Sequence, residues 1–183
     1  MGSGSRSVRG RTASLVGVER PFAPQRLASI VAVWFLLAAC GAAAPTDPAP
    51  DGVAALLLAQ VNAVRLEGRV CGARGALAPT HPLTLEARLT AAAQEHADDM
   101  HARGTMSHTG GDGSDPGQRI ARTGYAAATW GENVAAGYTS VDAVMAGWLG
   151  SDGHCANLMH PGFTEFGAGE AGRYWAQVFA RPR

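Results

Sequence analysis

Apolar residues recur at two different periods in this chain, and the order of the periods limits the fold more than any other feature. In "VAALLLAQVNAVRLEG", Leu57, Leu58, Val61 and Val64 share one face of a helix that Gly68 stops. In "LTLEARLTAAAQEHADDMHARG", Leu85, Leu89, Ala92, His96 and Met100 recur at helical spacing, with Thr84 as the expected N-cap and Gly104 as the end. "DPGQRIARTGY" predicts a short third helix capped by Asp115 with Pro116 at its first position, and "SVDAVMAGWLGS" a fourth that buries Val141, Val144, Met145 and Trp148. "TWGENVAAG", "EFGAGEAG" and "RYWAQVFA" instead alternate large or branched residues with small or polar ones, as strands do. Helices first and strands mostly late make this an α+β chain, with helices covering an antiparallel sheet.

The residues before Val53 read differently. Five arginines precede residue 27, and "LASIVAVWFLLAA", residues 27–39, is apolar except for Ser29. Thirteen residues match the core of a signal peptide and fall short of the roughly 20 needed to span a bilayer as a helix. The ending Leu37-Ala38-Ala39-Cys40-Gly41 resembles the bacterial lipobox, in which the cysteine thiol takes a diacylglycerol and cleavage follows before it. An ordinary secretory peptide cut near residues 42–44 is the alternative. "GAAAPTDPAPDG" then reads as a tether, because its prolines block both helix and ladder pairing. The expected organisation is a signal peptide over 1–39, a lipidated Cys40 and tether over 40–52, and one domain over 53–183.

Charge separates along the same boundary. From residue 40 onward, 10 arginines face 14 acidic residues, and the chain contains no lysine. This is not the basic footprint of a nucleic-acid binder. No internal repeat, phosphate loop, dinucleotide fingerprint or CxxC pair is present.

Three loop-like stretches carry the chemistry. "MSHTGGDGSDPG" holds His108 among Gly110, Gly111 and Gly113, an arrangement costly in backbone entropy that something polar must hold. "WGEN" offers Glu132, and "SDGHCANLMHPGF" offers His154 and His160. His108, Glu132 and His154 are ligand types suited to zinc or another divalent metal, weakly bound because three groups at most are offered. A hydrolytic alternative makes Glu132 the base and a histidine the acid that together activate water. A structural alternative has Glu132 accept hydrogen bonds from His108 and the loop backbone. His96 reads as a satisfied core histidine, His81 and His101 as turn or surface residues, and Asp98 and Asp99 as a solvated face. "GGDGSD" lacks the frame of a calcium loop. Trp130, Trp148 and Trp175 read as core and sheet packing rather than a sugar platform, although a Trp at a cleft rim could serve both.

The series "MSHTGGDG", "RTGYAAATWGENVAAG", "VDAVMAGWLGSDGHCANLMHPGFTEFGAG" and "RYWAQVF" resembles the CAP superfamily, whose SCP domains occur in cysteine-rich secretory proteins, antigen 5 and pathogenesis-related proteins. The likeness covers roughly residues 53–181 and is to the compact bacterial form. It implies an α-β-α sandwich with a central antiparallel sheet between helical layers, secreted or surface-exposed and often disulfide-bonded. It also implies a cleft of two histidines and two glutamates, of which His108 and Glu132 match one of each. The other two do not carry over: Trp148 is followed by Leu149, Gly150 and Ser151 rather than an acid, and Tyr174 stands where the late histidine would be. His154 is the bacterial form's own histidine. For some relatives the resemblance implies sterols or other small hydrophobic ligands, for others surface partners or a protease-like or cell-wall-directed activity.

With Cys40 consumed by lipid, Cys71 and Cys155 remain as an even pair in an oxidising compartment, and a disulfide is expected. The sequence therefore predicts a monomeric, extracytoplasmic lipoprotein of the bacterial envelope. It would meet the membrane only through its anchor, with a small hydrophobic ligand or an envelope component as partner and catalysis the less favoured role.

Overall fold

The computed structural model describes residues 50–183, with side chains from residue 52. The expected signal peptide, the lipidation site Cys40 and nearly all of the tether lie outside the described residues. Helix α1 (Pro50–Glu67) begins three residues before the expected boundary at 53, since proline is tolerated in a first helical turn. It is followed by a hairpin of two short strands, β1 (Arg69–Val70) and β2 (Ala76–Leu77), and by β3 (Thr84–Leu85), α2 (Ala87–Arg103) and α3 (Pro116–Arg122). The chain ends with β4 (Ala127–Ala136), α4 (Val141–Leu149), α5 (Asp152–Leu158), β5 (Glu165–Ala171) and β6 (Tyr174–Pro182). No helix among the described residues is long and apolar enough to cross a membrane.

The main sheet has the order β3-β5-β6-β4, so β4, which carries Glu132, is an edge strand. Its three long strands pair antiparallel as expected, and the short β3 adds a parallel edge beside β5. That strand displaces the expected N-cap. Thr84 pairs with Glu165, and the Glu86 carboxylate caps α2 instead by accepting the Arg88 amide. The hairpin and α5 have no clear period in the sequence: the first is too short, and α5 has only two buried positions, Cys155 and Leu158.

Alternation along the strands divides the core. Phe166, Ala168, Trp175 and Phe179 face α1 and α4, where they meet Leu57, Val61, Val144 and Trp148. Ala176, Val178 and Ala180 face α2 and α3 and pack on Leu89, Ala93, Met100 and Ile120. β5 shows why its sequence alternates. Phe166 and Ala168 fill one side, while a side chain on Gly167 or Gly169 would collide with the α2 backbone at Leu89–Thr90 or Ala93–Gln94. The glycines let α2 lie directly on the sheet.

One buried charge ties the first layer together. Arg65, fully buried on α1, donates to the carbonyls of His81 (2.9 Å), Leu158 (2.7 Å), His160 (3.0 Å) and Phe163 (3.4 Å). Burial lowers its pKa to about 10, so it stays protonated at neutral pH. No carboxylate neutralises it among the described residues. Carbonyl oxygens, including those ending α5, carry the load instead.

Candidate functional site

Successive residues of a strand point to opposite faces, and the site is built on that fact. Glu132 and Val134 of β4 face the α2/α3 layer, while Asn133 and Ala135 face the α4/α5 layer. Because β4 is an edge strand, groups held on its two faces can meet beyond its open side.

On the first face, Glu132 is almost wholly buried and both its oxygens are occupied. Oε1 accepts from His108 Nδ1 at 2.8 Å, and Oε2 accepts from Arg119 Nη2 at 2.7 Å. Arg119, 3% exposed, also donates to the carbonyls of Ser114 (2.9 Å) and His108 (3.1 Å). One guanidinium thus joins the carboxylate to both ends of the glycine-rich loop. Asp99 holds the middle: it accepts the Gly111 amide and pairs with Arg103 at 2.7 Å, while Arg103 donates to the Thr109 carbonyl. Hydrogen bonding from Arg103 pulls the Asp99 pKa down. Asp99 is therefore a loop anchor and not the solvated residue expected, whereas Asp98 is exposed and accepts only from Gln94. Asp115 caps α3 in a full capping box with Gln118, as the sequence predicts.

His96 lies behind this cluster, fully buried on α2. Its Nε2 donates to the Ser107 carbonyl at 2.7 Å and stands 3.9 Å from Glu132 Oε1. Its Nδ1 has no partner, with Asp99 Oδ2 4.0 Å away, so the satisfied core histidine of the sequence reading is satisfied at one nitrogen only. Burial lowers its pKa, with Arg119 adding to the shift against Glu132 and Asp99.

On the second face, Asn133 donates to the His154 carbonyl (3.3 Å) and to Gln177 Oε1 (3.2 Å). Asn157 donates to the Glu132 carbonyl and to Asn133 Oδ1, both at 3.1 Å. The Cys71–Cys155 disulfide, with Cα atoms 5.5 Å apart, fastens α5 to the hairpin, and Asp152 accepts the Ala73 amide beside it. Helix α5 so held presents His154, half-buried. Burial lowers its pKa, and a charge on His108 lowers it further.

The structure thus brings His108 into contact with Glu132, and carries His154 on the opposite face of β4. It leaves the others apart. His160 packs on Phe163, His81 donates to the Phe163 carbonyl, and His101 lies against Tyr174. Tyr174 pairs with Ala136, four rungs along from the Glu132–Val178 rung. Trp148 and Trp175 are buried as expected and donate to the carbonyls of Val134 and Tyr138. Trp130 is 43% exposed, against expectation, because it stands on the open side of the sheet's edge strand.

Arg119 is the residue sequence reasoning missed. Only a weak signal pointed to it: Arg119 stands next to Ile120 on the buried side of a seven-residue helix, which implies polar partners but does not say which. The occupied carboxylate also bears on zinc. Glu132, accepting from a guanidinium and from the imidazole N–H of His108, is a poor third ligand. What remains as donors are His108 Nε2, on a side chain 55% exposed, and the His154 ring.

The family model for the CAP domain, the cysteine-rich secretory protein family, matches residues 58–176, well over half of the chain. The chain belongs to the CAP family. It is 29% identical over 136 residues to the YkwD protein of Bacillus subtilis, covering 73% of this chain and 50% of that protein, and so spans about half the length of this curated relative. Solved structures share the fold. An extracellular SCP-domain protein of Bacillus anthracis matches with a TM-score of 0.59 and 24% identity, over 74% of this chain and 45% of its own. An outer surface protein of Borrelia burgdorferi matches at 0.60 and 19%, over 70% of this chain and 92% of its own. The CAP fold and the Cys71–Cys155 bridge therefore stand as the sequence predicted.

Proposed function

We propose that this CAP domain is a ligand-binding module outside the cytoplasm, tethered through a lipidated Cys40, and that its cleft works through the paired imidazoles of His108 and His154. The observation that carries this reading is the double engagement of Glu132: with Arg119 on one oxygen and His108 Nδ1 on the other, the carboxylate orients an imidazole rather than meeting a ligand itself. Donation from Nδ1 fixes the tautomer and turns the lone pair of His108 Nε2 toward the cleft. Location outside the cytoplasm is supported by the disulfide, by the apolar leader ending at Cys40, and by relatives described as extracellular or outer-surface proteins.

Two imidazoles suit a divalent transition metal held weakly, or a small ligand or envelope partner bearing a hydrogen-bond donor. Zinc titration by calorimetry separates the roles. His108→Ala and His154→Ala should each weaken zinc binding by about tenfold or more, while Glu132→Gln, which keeps an acceptor for His108, should weaken it less. Zinc affinity unchanged in both histidine variants would defeat the cleft assignment.

The same geometry favours one second reading. A carboxylate–imidazole pair with a free Nε2 can serve as a general base, so a hydrolase built on this cleft would use His108 to take the proton from water, with Glu132 orienting it. Glu132 itself, with both oxygens engaged, is poorly placed for the role of base that the sequence first suggested. Turnover of a cell-wall or peptide substrate that His108→Gln abolishes would establish this reading over simple binding.

A further inference from the structure

Trp130 lies outside the histidine cleft, and its surroundings have a chemistry of their own. Its indole rests against Gly117, where any side chain would collide with it, and forms the wall of an open groove of about 600 Å³ between α3 and the start of β4. That size falls within the roughly 300–1,000 Å³ typical of small-molecule sites. Small residues, among them Gly117, Ala121 and Ala127, make up much of its lining, and Tyr125 adds a second aromatic ring. Three polar side chains stand around the rim. Asp115 uses one carboxylate oxygen as the α3 cap and has no partner on the other among the described residues. Gln118 uses Oε1 to complete the capping box, and its Nε2 has no partner among the described residues. Arg183 donates from Nε to the Ala127 carbonyl, and its two terminal nitrogens have no partner among the described residues.

We infer that this groove is a binding site for a neutral glycan, with the apolar face of a pyranose ring stacked on Trp130 and its hydroxyls bonded to Asp115, Gln118 and Arg183. An exposed indole offers a flat apolar surface that a ring C–H face fits. Each hydroxyl is both donor and acceptor, and the rim supplies both kinds: a carboxylate oxygen that accepts, and amide and guanidinium groups that donate. Charge selects the class further. Asp115 repels an anion and Arg183 a cation, so the pair favours a ligand without net charge. The site is separate from the histidine cleft and does not rest on how that cleft is used.

The test is calorimetric titration of the full chain, solubilised in detergent, with a neutral tetramer of β-linked N-acetylglucosamine. The wild type should bind it, Trp130→Ala should weaken binding by about tenfold or more, and Gln118→Ala by a smaller factor. Gln118 is exposed, so its variant repeats the test should Trp130→Ala fail to fold. His108→Ala should bind as the wild type does. The inference is overturned if the wild type does not bind, if Trp130→Ala and Gln118→Ala both bind unchanged, or if binding is lost in His108→Ala instead. A proline-rich peptide that binds here while the tetramer does not would overturn it too, by assigning the groove to another class of ligand.

Discussion

His108 and His154 lie on opposite faces of β4, beside Glu132 and Asn133 respectively, and they are held there by different forces. His108 rides on a loop whose glycines contribute no apolar contacts, and the loop is fixed by charge: Arg119 on Glu132 and on two carbonyls, Asp99 on Arg103 and on the Gly111 amide. His154 rides on a short helix fixed by a disulfide and by neutral amides, Asn133 and Asn157. The first support depends on ionisation, and its outer pair, Arg103–Asp99, on salt. The second is covalent and indifferent to both. An edge strand permits this division because each of two neighbouring residues, Glu132 and Asn133, can anchor one side.

The covalent support should give the largest effect when broken. Cys71→Ala with Cys155→Ala opens a link spanning 84 residues, which the chain-entropy model sets at about 4–5 kcal/mol, an upper figure because denatured-state structure reduces it. Urea unfolding should show the loss, with the His154 resonances broadened more than those of His108. Equal disturbance of both histidines would mean that the two supports are not separate.

The ionic support comes next. Arg119→Ala leaves Glu132 buried without its cation, for which about 3–5 kcal/mol is the usual cost, and it frees two loop carbonyls. Replacing both members, Arg119→Met with Glu132→Met, should cost clearly less than Arg119→Ala alone, since no unpaired charge remains. If the double variant were the less stable of the two, the pair would be a net stabiliser and the charge-based account of the loop would fail in its present form. In either variant the loop amides from Thr109 to Gly113 should exchange faster with solvent.

How much of this the sequence carried follows from the kind of force involved. The helical and alternating periods located α1, α2, α4 and the three long strands because apolar burial imposes a period. Loop entropy announced that residues 104–114 needed a polar anchor, and His108 and Glu132 were visible through their motifs. The anchor itself, Arg119, and the contribution of Asp99 were not. A hydrogen bond between residues distant in sequence leaves no period, and a charged residue four positions from another on a helix looks like ordinary surface. Trp130 failed for a related reason: alternation shows which face of β4 it occupies, but not that β4 lies at the edge of the sheet.

A smaller effect is expected from the amide side. Asn157→Ala removes the donor to the Glu132 carbonyl and to Asn133, while Asn157 is itself only partly buried, so a loss of about 1–2 kcal/mol is expected. The shift in the urea midpoint should be independent of salt between low and moderate ionic strength. The midpoint shift of Asp99→Ala, which removes a partly exposed ion pair at 2.7 Å together with the acceptor of the Gly111 amide, should shrink in part as salt is added. A salt-dependent Asn157→Ala effect would blur the contrast between the supports.

The smallest effect is a pH dependence shared by both sides. Burial lowers the pKa of His96, behind the loop, and of His154, on α5. A histidine whose folded pKa lies below its unfolded value binds more protons when unfolded, so its contribution to stability is complete above about pH 6.5 and is lost as the pH falls through the folded pKa. For His96 the effect is tempered, because Asp99 on α2 and Glu132 on β4 favour its charged form while Arg119 on α3 opposes it. The carboxylates act in a separate window. Asp99 is held below the usual range by Arg103, and Asp112 at about 2 by its hydrogen bonds from Ser114, then by Arg122, so their contributions persist until the pH falls below about 4. The urea midpoint should therefore decline modestly between pH 7.5 and 5.5, level off, and fall again under stronger acid. His154→Gln should remove part of the first decline and leave the second untouched, because it alters the amide-held side only. A midpoint that rises on going from pH 7.5 to 5.5 would mean that His96 and His154 gain protons more readily in the folded state, and would reverse the direction assigned to both shifts.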